Sequence, residues 1–355
     1  MKFKLLFILL IFAFVLFASA CSGGSSRLAA TSWPGLTTDG ETLYLSFGPH
    51  VYAINATNGG EKWRFPEETD RNISFYAAPV LGEDGQLIVG GYDNVLYSID
   101  PDTGKQAYWM FNEARNRYIG NPIVTSELVL APSADGNLYA LNFFGEAQWK
   151  FTTGEPSWGQ PAADENNVYV ASLDHHLYAI NLETGQVVWD KDLGGAIVGT
   201  PLVANGYVYS GSFAKTLTAH DTRTGEVSWT FPTNNWVWAG AAMEEGILYF
   251  GDIDGILYAV DAQSGEEKWS FQADGGIFST PLIADGKIYF TTENGNIYAF
   301  TLESETLWSQ KIVGKIYTSP ILVNSLVLVA AMESDKLIIA YDDNGIERWS
   351  YTPTE

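Results

Sequence analysis

The chain of 355 residues carries 42 acidic residues against 19 basic ones, a formal net charge of −23, with a single cysteine. That balance argues against a nucleic-acid partner, whose phosphates need clustered lysine and arginine, and against polybasic attraction to anionic lipid. One cysteine allows no intramolecular disulfide, while 46% apolar residues are ample for a packed core.

Taken in chain order, Lys2 and Lys4 form a small positive head. The apolar run over 5–17 that follows is too short for a comfortable bilayer span. Ala18, Ser19 and Ala20 then lead to Cys21. Small residues after a short apolar run read as a secretory signal, and their placement directly before cysteine resembles the bacterial lipobox. Residues 1–20 are therefore expected to be a lipoprotein signal peptide and Cys21 the lipidated residue. Residues 21–30, with the run SGGSSR over 22–27, are expected to be a flexible tether. The expected location is outside the cytoplasm, anchored by lipid to a membrane. Ser22 in place of aspartate after the cysteine points to the outer membrane where the cell has one.

From about residue 31 one unit recurs eight times. Its best copy is YAINLETGQVVW over 178–189. Tyr178 to Asn181 alternates polar and apolar residues as a half-buried strand does. Thr184 and Gly185 form a turn, where glycine supplies the positive φ that other residues resist. An aromatic stands four residues after the turn glycine or its stand-in: Trp63, Tyr108, Trp149, Trp189, Trp229, Trp269, Trp308 and Trp349. Successive intervals are 45, 41, 40, 40, 40, 39 and 41 residues. A period near forty with four short strand signals is the mark of a propeller blade. The mature chain is therefore expected to be all-β, an eight-bladed β-propeller of four-stranded antiparallel blades over 31–355.

Within the repeat that ends near Trp308, strands are expected at 277–283, 287–292, 296–301 and 306–310. Asp-Gly and Asn-Gly between apolar runs are strong hairpin signals. They occur at Asp285-Gly286 and Asn294-Gly295, and again at Asp39-Gly40, Asp84-Gly85, Asp135-Gly136, Asn205-Gly206 and Asp254-Gly255. Pro34, Pro79, Pro122, Pro161, Pro201, Pro281 and Pro320, with Ala241 in the remaining copy, are expected in the first strand of each blade. Proline lacks the N–H and suits an edge facing the channel. No strand is left over to complete a blade from both chain ends. Closure is expected from packing of the first blade on the last, or from residues 22–30 adding a strand.

The motif TGxxxW after YA[IVL][ND], as in Thr184-Gly185 to Trp189 and Thr224-Gly225 to Trp229, resembles the pyrroloquinoline-quinone-type (PQQ-like) propeller repeat. The resemblance covers roughly 31–355. It implies that each tryptophan docks on a neighbouring blade and locks the ring. Quinoprotein dehydrogenases share the repeat, and so do cofactor-free, BamB-like outer-membrane assembly lipoproteins. Dehydrogenases of the alcohol type often carry a vicinal cysteine pair and a calcium-holding Glu/Asn/Asp set beside a catalytic aspartate. The present chain has no second cysteine and no inserted lid loop, so it resembles the assembly group more.

Other chemistry is sparse. His175 and His176 are adjacent at a hairpin, where neighbouring side chains diverge. His50 and His220 have no local partners. Asp252 to Gly255 opens like a calcium loop, but Gln263 stands where the closing glutamate belongs. The sequons at Asn55 and Asn72 carry no information in a bacterial lipoprotein. No GxSxG, P-loop or HExxH occurs. Catalytic, cofactor-binding and metal-ligating residues are therefore expected to be none.

One feature rises above this background. Tyr76, Trp158, Trp238, Phe278 and Tyr317 stand three residues before the proline position, with Trp236 and Tyr118 close by. These are expected either to pack between blades or to form an aromatic rim at the channel mouth. The same loops carry Arg71, Arg115, Arg117, Lys311 and Lys315, a basic grouping suited to steering an acidic partner. The expected function is a non-enzymatic envelope lipoprotein that binds a protein through Arg115, Arg117, Trp158, Trp236, Trp238 and Tyr317, in outer-membrane protein assembly. The alternative is a PQQ-dependent dehydrogenase or a small-ligand or carbohydrate-binding sensor.

Overall fold

The computed structural model describes residues 33–82 and 85–354. Cys21, the leader over 1–20, the tether and Asp84 lie outside the described residues. The described residues form eight four-stranded antiparallel sheets, each built from consecutive strands. These are the eight blades, spanning 35–65, 80–111, 123–152, 162–192, 202–232, 242–272, 282–311 and 321–351.

Local chemistry explains the strands. In blade 6 they are Ala242–Glu244, Ile247–Gly251, Ile256–Asp261 and Glu267–Gln272. The second and third strands are buried almost throughout, and the outer strand alternates exposed and half-buried positions. At Asn205-Gly206 and Asp285-Gly286 both turn residues have positive φ, the two-residue hairpin geometry that matches strand twist.

The inner strands are shorter than the sequence suggests. In blade 7 pairing starts at Leu282, not Ile277. Each proline stands one residue ahead of the first paired residue, as Pro201 does before Leu202 and Pro281 before Leu282. A residue without an N–H sets the start of the ladder rather than sitting inside it. Ahead of the prolines the backbones of neighbouring blades nearly touch. A Cβ on Gly159 would come within 2.7 Å of the Gly199 carbonyl oxygen, so only glycine fits there.

The core lies between blades. Tyr209, Leu217 and Phe231 of blade 5 pack with Leu248, Phe250, Tyr258 and Val260 of blade 6. In every blade the pairing of third and outer strands shifts register, as between Ala179 and Ile180. Such a bulge bends and twists the strand and aims the repeated tryptophan at the next blade. Trp229 Nε1 donates to the Ala262 carbonyl at 3.1 Å, and its ring covers Gly265. Trp63, Trp149, Trp189, Trp269 and Trp308 make the same bond to Pro101, Leu182, Thr222, Leu302 and Asp343. Beneath Trp63, Trp189, Trp229, Trp269 and Trp308 lies a buried second-strand tyrosine, such as Tyr209 at 5.8 Å from Trp229.

Blade 2 corrects the sequence reading. Tyr108 is 67% exposed. Trp109 takes the slot instead, covering Gly145 and donating to the Phe143 carbonyl at 2.9 Å. The bulge there spans Tyr97 to Ile99, one residue wider than elsewhere, so the strand reaches the neighbour one position later.

Among the described residues the ring closes by packing, and residues 22–30, the alternative source of a closing strand, lie outside them. Blade 1 is complete from its own four strands, 35–65, and blade 8 from 321–351. Leu43, Leu45, Tyr52 and Ile54 share one cluster with Leu328, Ile338, Trp349 and Tyr351. Trp349 covers Gly59 as Trp63, Trp149, Trp189, Trp229 and Trp308 cover their glycines, but among the described residues its indole N–H has no acceptor.

Candidate functional site

Loops that run from an outer strand to the next inner strand share a face with the hairpins joining second and third strands. The hairpins hold the loops. In blade 3 the Asp135 carboxylate accepts the Arg115 N–H at 2.8 Å and the Tyr139 hydroxyl at 2.8 Å. Asp174 likewise accepts from the Gly154 N–H and Tyr178, and Asp252 from the Asn235 N–H and Tyr258. Burial alone would raise the Asp135 carboxyl, but these donors outweigh it and hold it below the usual aspartate range. Asp174 is lowered against the same burial cost by Tyr178 and by the N–H groups of His176 and Gly154. The anchored loops are those that present Arg115, Trp158 and Trp236.

On this face the structure brings one arc of rings together. Trp236, 40% exposed, stacks on Phe213 with centroids 4.5 Å apart. Phe213 meets Trp238 at 5.3 Å, Trp238 meets Phe278 edge-on at 5.5 Å, and Phe278 meets Tyr317 at 5.4 Å. These rings are half-buried. Offset and edge-on contacts satisfy the ring quadrupoles and leave the rim edges open to a partner. Within the arc lies Trp33, stacked on Tyr317 at 4.9 Å. Lys315 is exposed beside Tyr317, and that contact raises its ammonium pKa.

A second, separate group holds Phe47, Tyr76 and Tyr92, with the Arg117 guanidinium 4.8 Å above the Tyr92 ring. The side chain of Arg115 is exposed, and Trp158 is 39% exposed. Six residues singled out by sequence thus divide: Trp236, Trp238 and Tyr317 are joined, Arg117 belongs to the second group, Arg115 is exposed on the same loop as Arg117, and Trp158 stands on a separate loop. Tyr118 is not a rim residue. It is buried between blades, against Gly90.

Sequence reasoning missed Trp33, which precedes the first repeat, and Phe213, which sits in a hairpin rather than an interblade loop. The basic grouping also needs correction. Asp70, Glu113, Asp135, Asp254, Glu293 and Glu333 occupy the same loops and hairpins, and Lys311 pairs with Asp274. The face therefore carries acidic residues among the basic ones.

Two of the four histidines, His50 and His220, serve the fold. Buried His50 has its ring nitrogens against the Pro66 carbonyl at 2.7 Å and the Thr69 hydroxyl at 3.1 Å. Buried His220 sits likewise between the Gly225 carbonyl and Thr218. Burial lowers the pKa of both. Among the described residues no three His, Cys, Asp or Glu side chains stand together to hold a metal ion. The Trp33 ring fills the aromatic cup.

A family model described as outer membrane protein assembly factor BamB matches residues 48–157, 144–237 and 215–306. Among solved structures, BamB from Moraxella catarrhalis superposes with a TM-score of 0.70 at 18% identity, covering 87% of this chain and 94% of that one. A europium-containing methanol dehydrogenase gives 0.68 at 15% identity, covering 87% and 82%. The computationally designed Ika8 protein gives 0.75 at 14% identity, covering 90% and 96%. At these identities the likeness is one of fold. A tetrathionate hydrolase from Acidithiobacillus ferrooxidans is 27% identical over 139 residues, which is 32% of this chain and 28% of that enzyme.

Proposed function

The chain belongs to the family described as outer membrane protein assembly factor BamB, and on that premise we propose that it is a non-enzymatic envelope protein, lipid-anchored through Cys21, whose propeller binds a protein partner in outer-membrane protein assembly. One observation carries the reading. Phe213, Trp236, Trp238, Phe278 and Tyr317 form a continuous aromatic arc on one loop face, with Trp236 exposed. A rigid ring holding variable loops is a common support for binding, and tryptophan and tyrosine dominate interface hot spots. The aromatic surface of the arc favours a partner that offers apolar side chains.

The test is capture from detergent-solubilised membranes with the wild-type chain and with Trp236→Ala/Trp238→Ala. The wild type should retain a defined envelope protein that the double variant releases. A second reading, a quinone-dependent redox enzyme, draws on the likeness to the methanol dehydrogenase. Dye reduction by the purified chain after adding pyrroloquinoline quinone and calcium would replace the binding reading with that one.

A further inference from the structure

Trp33 lies ahead of the first paired residue, Gly35. Its ring nonetheless makes three ring contacts with the loops of other blades. It stacks on Tyr317 at 4.9 Å and 15°, meets Phe278 edge-on at 6.4 Å and 72°, and lies tilted 5.7 Å from Trp238. These three residues come from the loops entering blades 6, 7 and 8, whereas Trp33 enters blade 1. The next residue, Pro34, disfavours helical backbone at Trp33 and biases it toward extended form.

Trp33 differs from every repeated tryptophan. Except at Trp269, where Ser304 stands in the turn, those rings cover a turn glycine of the next blade, and they belong to the interblade clusters. Trp33 sits in the channel mouth, remains half-buried and belongs to none of the core clusters. On its C-terminal side it is held in place, since Pro34 is buried and Gly35 is wedged against the Ala78 backbone. Rotation about its own side-chain torsions would vacate the cup without moving blade 1. Beyond the cup the arc continues over Phe213 to exposed Trp236, so a longer occupant has further rings to cover.

We infer that the cup of Trp238, Phe278 and Tyr317 is a receptor for an aromatic side chain on an extended polypeptide segment, with Trp33 as its intramolecular occupant. The occupant seen there defines the ligand class, an aromatic residue followed by proline in extended backbone. A tethered occupant competes at a high effective concentration, so an incoming segment binds more weakly by the fraction of time that Trp33 holds the cup. The inference rests on the protein-binding reading of this face and names the feature of the partner that the face recognises.

The experiment uses the full chain and a fluorescein-labelled peptide with the sequence of residues 32–35, Ser-Trp-Pro-Gly, followed by anisotropy. Trp33→Ala should bind it saturably and at least tenfold more tightly than the wild type. Adding Tyr317→Ala to Trp33→Ala should abolish binding, and a Ser-Ala-Pro-Gly peptide should not bind. A folded Trp33→Ala chain with no affinity for the peptide overturns the inference. So does equal binding of the alanine peptide, or occupation of the cup by a β-linked oligosaccharide that the peptide cannot displace. A second measurement needs no loss of Trp33. With 5-fluorotryptophan at position 33, excess peptide should shift the fluorine resonance, and an unmoved resonance overturns the inference. Peptide binding without membrane-protein capture would sink only the protein-partner reading, and capture without peptide binding would sink only this one.

Discussion

Tyr351 donates its phenolic hydrogen to the Glu61 carboxylate at 2.6 Å, joining residues 290 positions apart in the outer strands of the last and first blades. Burial and the Glu61 charge push the Tyr351 hydroxyl pKa up. Beside this bond, the Trp349 ring lies 2.6 Å from where a Cβ on Gly59 would stand. Among the described residues no strand is shared across the seam, and such contacts join the two blades there. Tyr351→Phe should cost about 1.5 kcal/mol, the scale of a hydrogen bond to a charged group. Gly59→Ala should cost about 2–3 kcal/mol, because φ is +74° there and the methyl meets the indole. Urea unfolding measures both, and an unchanged midpoint for Gly59→Ala would show that the seam does not limit stability.

Blade 2 offers a paired comparison. Trp109→Ala should cost on the order of 3–5 kcal/mol, since it empties an interblade slot. Tyr108→Ala, at an exposed position, should stay within about 0.5 kcal/mol of wild type. Trp229→Ala should behave like Trp109→Ala. The reverse order of the two blade 2 variants in thermal melts would restore Tyr108 as the docking residue.

Stability should fall at both ends of the pH scale. Asp135 and Asp174 have folded pKa values below the ordinary one. Their contribution is therefore present above about pH 4 and lost as pH falls through the folded values. Tyr249, Tyr289 and Tyr341 are pushed up to about 12, chiefly by burial. The fold favours their neutral form, so that contribution is intact below about pH 10 and lost between about 10 and 12. Circular dichroism against pH should show both losses. Tyrosinate absorbance from these rings should rise only with unfolding, and early titration would contradict their burial.

At the rim, Trp236→Ala should leave the melting temperature nearly unchanged, because the ring is exposed on one face. It should nevertheless speed partner dissociation, with a loss on the order of 2 kcal/mol if the ring is a hot spot. Surface plasmon resonance with the captured partner separates the rates. A slower association with unaltered dissociation would place the contact elsewhere.

Anchoring is tested at Cys21. The Cys21→Ser chain should leave the membrane fraction and lose the mass of its acyl groups, more than one of which is needed for stable attachment. Unchanged fractionation and mass would remove the lipid anchor from the proposal.

The eight blades were legible in the sequence because their cause is local. Glycine at the turn, alternation in the third strand and an aromatic four residues on recur through 178–189 and its copies, and each acts over a few residues. The prolines were legible as punctuation, though only pairing shows that Pro201 and Pro281 stand just outside the ladder. What stayed hidden depends on contacts between distant residues. A bulge one residue wider hands the docking role from Tyr108 to Trp109, and no spacing rule registers that. The rim aromatics were legible as residue types, but their grouping was not. Ring curvature joins Trp236, Trp238 and Tyr317 into one arc and leaves Trp158 and Arg115 apart. Trp33 has no repeat to mark it, and only closure of the ring brings it onto Tyr317. The sequence alone determined how many blades there are and what lies within each. The tertiary structure decided which side chains meet at the channel mouth and across the seam, because those distances are set by eight blades packed in a circle rather than by neighbours in the chain.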